Sequence, residues 1–390
     1  MDALDRIRII DFTWVLTGPY ATRILADYGA EVIKVQPLLE EEATVWAKGY
    51  YNNWNRNKLG ISLNLGKPEG ITIARRLIET GDVVVENFSP RVMANWGLDY
   101  VNLKEIKPDV IMVSISAMGQ TGPLRNHVGF GPSIQAFSGL TYLTGLPEQP
   151  PSGLGTSLAD HVAGLFATIA VLAALEHRHQ TGEGQYVDIS QMEAMCALLG
   201  PTIMDYTVNG RAAKPCGNSS HRAAPHGIYR CHGDDRWCAI AVFNDKEWRA
   251  FCNVLGNPSW CRQAQFATLA DRLENARELD QLTEKWTKEH TAEEVMTLLQ
   301  RAGVAAGVVQ DASDLAHDPQ LEDRGFFVQL DHPESGKITM DGTPMKLPSS
   351  PGSFRHAAPT PGQDNDYLLS QLLGLSEEEI AMYRRENVIC

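Results

Sequence analysis

The feature that most constrains this chain is an alternation in its first third between short, almost wholly apolar runs and amphipathic helical runs. Arg8 to Phe12 reads as a strand, Gly18-Pro19 follows, and Ala21 to Tyr28 reads as a helix. Glu31 to Val35 is a second strand. Lys67-Pro-Glu-Gly70 opens a helix that runs through Glu79, with Pro68 at an N1-like position, and Gly81-Asp82 ends it. Val83 to Asn87 is a third strand, and Lys107-Pro-Asp leads into a fourth, Val110 to Ile115. Strands that alternate with helices predict crossover connections and a mostly parallel sheet. Runs such as Val83-Val84-Val85 and Ile111-Met112-Val113 show no polar alternation, as strands covered on both faces require.

Beyond this region the spacing from Asp160 to Arg178 is helical, closed by the Gly182-Glu-Gly184 turn, and Gln185 to Ile189 is another strand. A long helix is predicted from Gln191 to about Val208. Residues 209–224, rich in Gly, Pro, Asn and Ser, read as a linker. A smaller lobe is expected over 225–323, with β runs at Ile228–Cys231 and Trp237–Val242. Helices with charged faces follow over Asp245–Leu255, Leu269–Lys288 and Ala292–Ala302. Residues 324–390 read as a returning arm that rejoins the large lobe of 1–208, closed by a helix from Asp366 to Tyr383. No internal repeat of fixed period is present in the sequence.

The 390 residues suffice for two lobes. With 43% hydrophobic and 21% charged residues and a formal charge of -14, the chain reads as globular and acidic. That balance is a poor match for nucleic acid or an anionic membrane surface, so neither is an expected partner. The start, MDALDRIRIIDFTWV, lacks the long apolar run of a signal peptide. Val162 to Leu175, the most apolar stretch, is shorter than the roughly 20 residues of a membrane span. Seven scattered cysteines, an odd number with no Cys-x-x-Cys, predict reduced thiols and a cytoplasmic location.

Common catalytic signatures are absent: no Gly-x-Ser-x-Gly, no His-Glu-x-x-His and no phosphate-binding Gly-x-x-x-x-Gly-Lys. The pairs Gly129-Phe-Gly131, Gly153-Leu-Gly155 and Gly182-Glu-Gly184 do not sit in a first strand-to-helix turn, which argues against a dinucleotide site. The eleven histidines do not cluster at metal spacing, and His177 and His179 suit a helix C-terminus, so no metal is expected. Asp160 stands out, placed after Gly153-Leu-Gly-Thr-Ser-Leu-Ala and opening an apolar helix. It reads either as an N-cap, a role Ser157 could fill equally well, or as a reactive carboxylate where helix amides stabilise nearby negative charge.

Several segments together resemble the class III CoA-transferases, the CaiB/BaiF family. They are Gly18-Pro19, Leu25-Ala-Asp-Tyr-Gly-Ala-Glu-Val-Ile-Lys34, Asn55-Arg-Asn-Lys58, Val85-Glu-Asn-Phe88, Gly119-Gln-Thr-Gly-Pro123 and Gln135-Ala-Phe-Ser-Gly139. Gly182-Glu-Gly-Gln-Tyr-Val-Asp188, Asp318-Pro-Gln-Leu321 and Leu373-Gly-Leu-Ser376 complete the order. The resemblance implies an α/β fold, with a Rossmann-like large lobe built from both chain ends, a smaller inserted α+β lobe and an interlocked, ring-like dimer. It implies Asp160 as the nucleophile that exchanges CoA between an acyl-CoA and a free carboxylic acid. The intermediates would be an aspartyl anhydride and an aspartyl-CoA thioester. The CoA thioester is then a co-substrate, with no permanently bound cofactor. Val15, Thr17, Asn87, Phe88 and Arg91 are the expected CoA-binding residues, and Trp14, Tyr51 and His226 the expected substrate pocket.

The chain also departs from the family pattern. After the second strand it reads Val35-Gln36-Pro37-Leu38-Leu39-Glu40-Glu41, without the family's basic residue, and Asn95 rather than Arg precedes Trp96-Gly97-Leu98. CoA phosphates need cations or helix amides, so Arg91, Arg56 or Lys58 are expected to substitute. The α-methylacyl-CoA racemases of this fold carry a histidine where this chain has Phe130-Gly131; His127 and His161 lie nearby but do not match the motif. Racemisation is thus the alternative activity, and a supporting role in a heterodimer with a homologous chain the alternative to a homodimer. The aromatics Phe12, Trp14, Tyr50, Tyr51 and Trp54 hint at a bulky acid. The block from His221 to Arg230 resembles the branch acting on aryl-substituted succinates, with Arg222 and His226 as candidate carboxylate ligands.

Overall fold

The computed structural model describes residues 2–38 and 45–390, with side chains in the second stretch from residue 49. Leu39, Glu40 and Glu41, part of the segment that departs from the family pattern, lie outside the described residues.

Six strands form one wholly parallel sheet. They are β1 (Arg8–Asp11), β2 (Glu31–Gln36), β3 (Lys58–Ser62), β4 (Val83–Glu86), β5 (Ile111–Ser116) and β6 (Tyr186–Ser190), in the order β3-β2-β1-β4-β5-β6. The register aligns Ile10 with Ile33 on one side and Val84 on the other, and Val84 with Met112. These residues point to one face, where they pack with Leu77 of helix Pro68–Thr80 and with Leu368, Leu369, Val388 and Ile389 of the returning C-terminal arm. Their neighbours Ile9, Val32, Val83, Val85, Ile111 and Val113 fill the opposite face against α1 (Thr17–Asp27) and the long helix Leu158–Thr181. Both faces are dry, which explains the unbroken apolar runs.

β3 was not anticipated, because Lys58-Leu-Gly-Ile-Ser carries polar residues that the fold buries. The C-terminal arm covers this edge: Asp364 N donates to Gly60 O (3.0 Å), and Gly60 N to the Asp364 carboxylate (2.7 Å).

Further helices are α2 (Val45–Trp54), α3 (Pro68–Thr80), α4 (Gly131–Phe137), α5 (Leu158–Thr181), α6 (Gln191–Leu198) and α7 (Gly200–Asn209). The helix expected from Gln191 to Val208 is therefore two. Pro201 cannot continue a hydrogen-bonded turn and instead opens α7. The closing helix is also interrupted: a π-helical stretch, Tyr367–Leu372, ends before Gly374 in the left-handed region, and an α-helix resumes at Glu377–Arg385. α5 spans 24 residues, longer than the apolar run alone suggested. By length and composition it could cross a membrane. Here Ala159, Ala163, Gly164, Ala167, Thr168, Val171 and Ala174 are its buried residues.

Cα proximity divides the chain into two compact units. The first comprises Met1–Thr141, Gly153–Ala212 and Gln320–Cys390 and holds the parallel sheet and a β-hairpin, Phe327–His332 with Gly336–Asp341. The second comprises Tyr142–Ser152 and Ala213–Pro319. It is a three-stranded antiparallel sheet of His226–Arg230, Trp237–Ala241 and Ala305–Val308, with helices packed over Tyr229, Ile240, Phe251, Phe266, Leu279 and Val295. The helix expected over Leu269–Lys288 breaks at Asn275. All seven cysteines are free thiols.

Candidate active site

The first turn of α5 presents Asp160 beside the loop that leaves β1. Gly164 permits this closeness: a Cβ there would lie 2.9 Å from both the Thr17 carbonyl oxygen and Tyr20 Cδ1. With α1 and α5 in contact, Thr17 Oγ donates to Asp160 Oδ1 and Ser157 Oγ donates to Asp160 Oδ2. Gln191 Nε2 in turn donates to Thr17 Oγ (3.1 Å). Asp160 is not the N-cap. Ser157 occupies that position, and its hydroxyl serves the carboxylate rather than a helix amide. Gly131, at the start of α4, gives Ser157 its room: a Cβ there would sit 1.6 Å from Ser157 Oγ and 2.5 Å from Asp160 Oδ2.

Asp160 lines a pocket with Trp14, Val15, Thr17, Asn87, Phe88 and Ser116, and also with Arg125, His127, Phe130 and Gln191. Four of the five expected CoA-binding residues, Val15, Thr17, Asn87 and Phe88, therefore meet Asp160. The loops are cross-braced. Trp14 N donates to Asn87 Oδ1 (2.8 Å), and Asn87 Nδ2 to Trp14 O (2.9 Å). Phe88 N donates to Glu86 (2.7 Å). Burial pushes the Glu86 carboxyl up to about 7, against the hydrogen bonds from Ser114 and Phe88. Val15 adopts φ 61°, a left-handed conformation that β-branched residues rarely take.

Arg91 is not among the lining residues; its guanidinium donates to Asn126 Oδ1 (3.1 Å). Trp14 and Val15 are shared with a second, more apolar cavity of ≈ 380 Å³, which Tyr51, Tyr50, Gln36, Lys34 and Pro359 also line. The Tyr51 hydroxyl accepts from Gln36 Nε2 (2.7 Å). His226 belongs to the other unit, where its Nδ1–H donates to Asn218 O (2.6 Å).

Arg56 and Lys58 do not reach solvent and cannot hold phosphates. Arg56 is fully buried on Asp27 (2.6 Å). Lys58 and Lys34 flank Asp11 at 2.9 and 3.2 Å. Burial disfavours charge on all three. The two lysines outweigh it for Asp11, whose carboxyl stays well below its usual range, while Lys58 is pushed down to about 7. The cluster also binds Thr13, which precedes the loop from Trp14 to Leu16, and Thr22 on α1, which follows it, and so ties strand β1 to that helix. His161 points into an aromatic group with Tyr20 and Trp54, and its Nδ1–H donates to Ser157 O (2.8 Å). Among the described residues no cluster of three or more His, Cys, Asp or Glu could hold a metal. The sequence reading missed Ser116, Arg125 and Gln191, which carry no periodic signal of their own.

Residues 4–365 match the family model described as CoA-transferase family III. The chain belongs to CoA-transferase family III. It is 34% identical to the succinyl-CoA–D-citramalate CoA-transferase of Chloroflexus aurantiacus, over 99% of this chain and 98% of that protein. The β subunit of succinyl-CoA–L-malate CoA-transferase from the same organism is 32% identical, over 99% and 98% of the two chains. Among solved structures, a CaiB/BaiF family protein of Brucella suis superposes with a TM-score of 0.88 at 29% identity, over 95% of this chain and 99% of that one. The Rossmann-like α/β fold and the CoA-transferase class expected from the sequence both hold.

Proposed function

We propose that this CoA-transferase moves CoA from an acyl-CoA donor, succinyl-CoA as in the relatives' names, to a small carboxylic acid through Asp160. The observation that carries this reading is the Asp160 carboxylate, held by one hydroxyl on each oxygen at the positive end of α5 and lining an open pocket.

One Asp160 oxygen attacks the thioester carbonyl carbon, the C–S bond breaks, and CoA leaves as thiolate. The product is a mixed anhydride. The thiolate then attacks the aspartyl carbonyl carbon, expels the donor acid as its carboxylate and leaves an aspartyl-CoA thioester. The acceptor carboxylate attacks that thioester, releasing thiolate and forming a second anhydride. Attack of thiolate on the acceptor's acyl carbon yields the new acyl-CoA and restores Asp160. No step needs a net proton. Each intermediate keeps the activation of the original thioester, so covalent catalysis divides the exchange into balanced steps. The amides at the start of α5 favour the negative charge that develops at each stage. Thr17 and Ser157 stabilise the carboxylate both as attacking group and as leaving group, which suits a reversible exchange.

Trapping tests this. The protein is incubated with succinyl-CoA, quenched with hydroxylamine or borohydride, and digested for mass spectrometry. A modification on Asp160, lost in Asp160→Asn, is expected; CoA transfer with Asp160 unmodified would overturn the mechanism.

We infer further that the working form contains a second chain, identical or homologous. Leu165, Phe166, Ile169 and Leu172 on α5 are exposed, as are Ile203, Met204 and Val208 on α7. So large an apolar surface supports a protein interface.

A further inference from the structure

Two cavities meet at Trp14 and Val15, and the exchange chemistry uses only the one that holds Asp160. The other, of ≈ 380 Å³, lies wholly within the same compact unit. Its wall brings Trp14, Tyr50 and Tyr51 together with Pro37, Pro359 and Pro361. Three of the five aromatics singled out in the N-terminal sequence therefore converge here. Phe12 is buried in the core instead, and Trp54 packs edge-on against Tyr20 and His161. Trp14, Val15 and Tyr50 are 53%, 49% and 38% exposed, so large apolar side chains stand open around a concave space.

This wall has little to give an anion. Lys34 spends its three donors on Asp11 Oδ1, Thr13 O and Thr13 Oγ. Asn55 Nδ2 donates to Tyr51 O, and Asn55 Oδ1 accepts from Lys58. Burial pushes the Tyr51 phenol up, and its oxygen is engaged with Gln36 (2.7 Å). Glu334 is a carboxylate and cannot donate. Arg125 and His127, by contrast, line the Asp160 pocket. The cavity is also near the nucleophile: burial, and after it the Asp160 charge, raises the Tyr50 phenol. The adenosine end of CoA is separated from its sulfur by the whole pantetheine arm, so a group this near the reacting carbon belongs to the acid. A cavity of about 150 Å³ accepts benzene. One of ≈ 380 Å³ has room for a ring and a short chain.

We propose that this cavity receives the body of the acid exchanged at Asp160, and that the acid is an aryl-substituted monocarboxylic acid, its ring against Trp14, Tyr50 and Tyr51. This rests on Asp160 being the exchange site. Aromatic faces and prolines suit a flat ring, whereas a second carboxylate in the cavity would lose its water without gaining a partner. The succinyl donor keeps its second carboxylate in the Asp160 pocket, with Arg125. Trp14 and Tyr50 are then specificity-determining residues.

The test compares CoA transfer from succinyl-CoA to 3-phenylpropanoate and to propanoate, which lacks only the ring. The wild type should favour 3-phenylpropanoate by about tenfold or more in kcat/KM. Tyr50→Ala, a change at an exposed position, should cut that ratio to about threefold or less. Thr360→Trp, which fills the cavity from a half-buried lining position, should abolish or reverse it. Circular dichroism confirms that both variants fold. Four results would overturn the proposal while leaving the exchange mechanism standing. The wild type could ignore the ring. Both folded variants could slow the two acids equally. Either variant could raise KM for succinyl-CoA with the acceptor ratio intact, which would give the cavity to the nucleotide of CoA. Asp160 could form its adduct and yet pass CoA to neither acid. Absence of both transfer and adduct would remove the exchange reading and this inference together.

Discussion

Replacing Gly131 with alanine is a sharp probe of how the nucleophile is held. The new Cβ would fall 1.6 Å from Ser157 Oγ, 2.9 Å from Ser157 Cβ and 2.5 Å from Asp160 Oδ2. Ordinary contacts are near 3.5 Å, so the serine hydroxyl must swing away and the carboxylate must shift by roughly 1 Å. The first effect removes a hydrogen bond to a charged group, worth about 1.5–3 kcal/mol. If that bond serves the transition state, the rate falls roughly 10- to 100-fold. The displacement of a reacting atom acts in the same direction and can reach about 100-fold by itself. Transfer is followed by chromatographic separation of the two acyl-CoA species, with circular dichroism to confirm folding. Gly131→Ala should lose about 100-fold or more in kcat, and Ser157→Ala, which loses the hydrogen bond alone, about tenfold, the low end of that range. The double variant should be no worse than Gly131→Ala alone, since the serine contact is already lost in it. A folded Gly131→Ala protein with kcat within about twofold of wild type would refute the reasoning, as would multiplicative losses in the double variant.

Three further outcomes are expected. Glu86 keeps its proton up to about pH 7 when folded, against an ordinary value of 4.5. The folded state binds the extra proton, so this contribution is complete below pH 4.5 and lost as pH rises through about 7; Glu86→Gln should therefore gain roughly 3 kcal/mol over wild type at pH 8 but little at pH 4.5, read by urea unfolding. Equal gains at the two pH values would count against it. Asp27→Asn strands the buried Arg56 and should cost about 3 kcal/mol, largely recovered in Asp27→Asn/Arg56→Met; an unchanged denaturation midpoint in the single variant would contradict the buried pair's role. Ile169, 62% exposed on the outer side of α5, should be an interface residue, and Ile169→Asp should lower the sedimenting mass. An unchanged assembly would exclude that surface from the contact.

What could be read in advance follows the physics of each element. β1, β2, β4 and β5 were legible because strands buried on both faces need unbroken apolar runs. β3 was not, since Lys58 is tolerated inside by its ion pair with Asp11, 47 residues away, and by hydrogen bonds to Pro19 O, Thr22 and Asn55. The same blindness turned Arg56 and Lys58 into expected surface cations: bases are usually exposed, and nothing local reveals a distant buried acid. Asp160 was found through the order of family segments, whereas its grip by Thr17 depends on α1 meeting α5 across 143 residues. The break at Gly200-Pro201 follows from proline chemistry, but apolar spacing that continues through it masks the break in the sequence pattern.

Val15 carries a consequence of its own. A left-handed backbone costs a residue with a side chain roughly 1–2 kcal/mol, yet this one borders both cavities and precedes the loop's contact with the nucleophile. Glycine there would relieve the torsion and, after its own entropic penalty, leave the fold more stable by about 0.5 kcal/mol or more. The loop would also sample more shapes. A screen of this enzyme for heat resistance alone should therefore recover Val15→Gly, and the proteins it recovers should be hardier and slower: at this position endurance and turnover pull against each other.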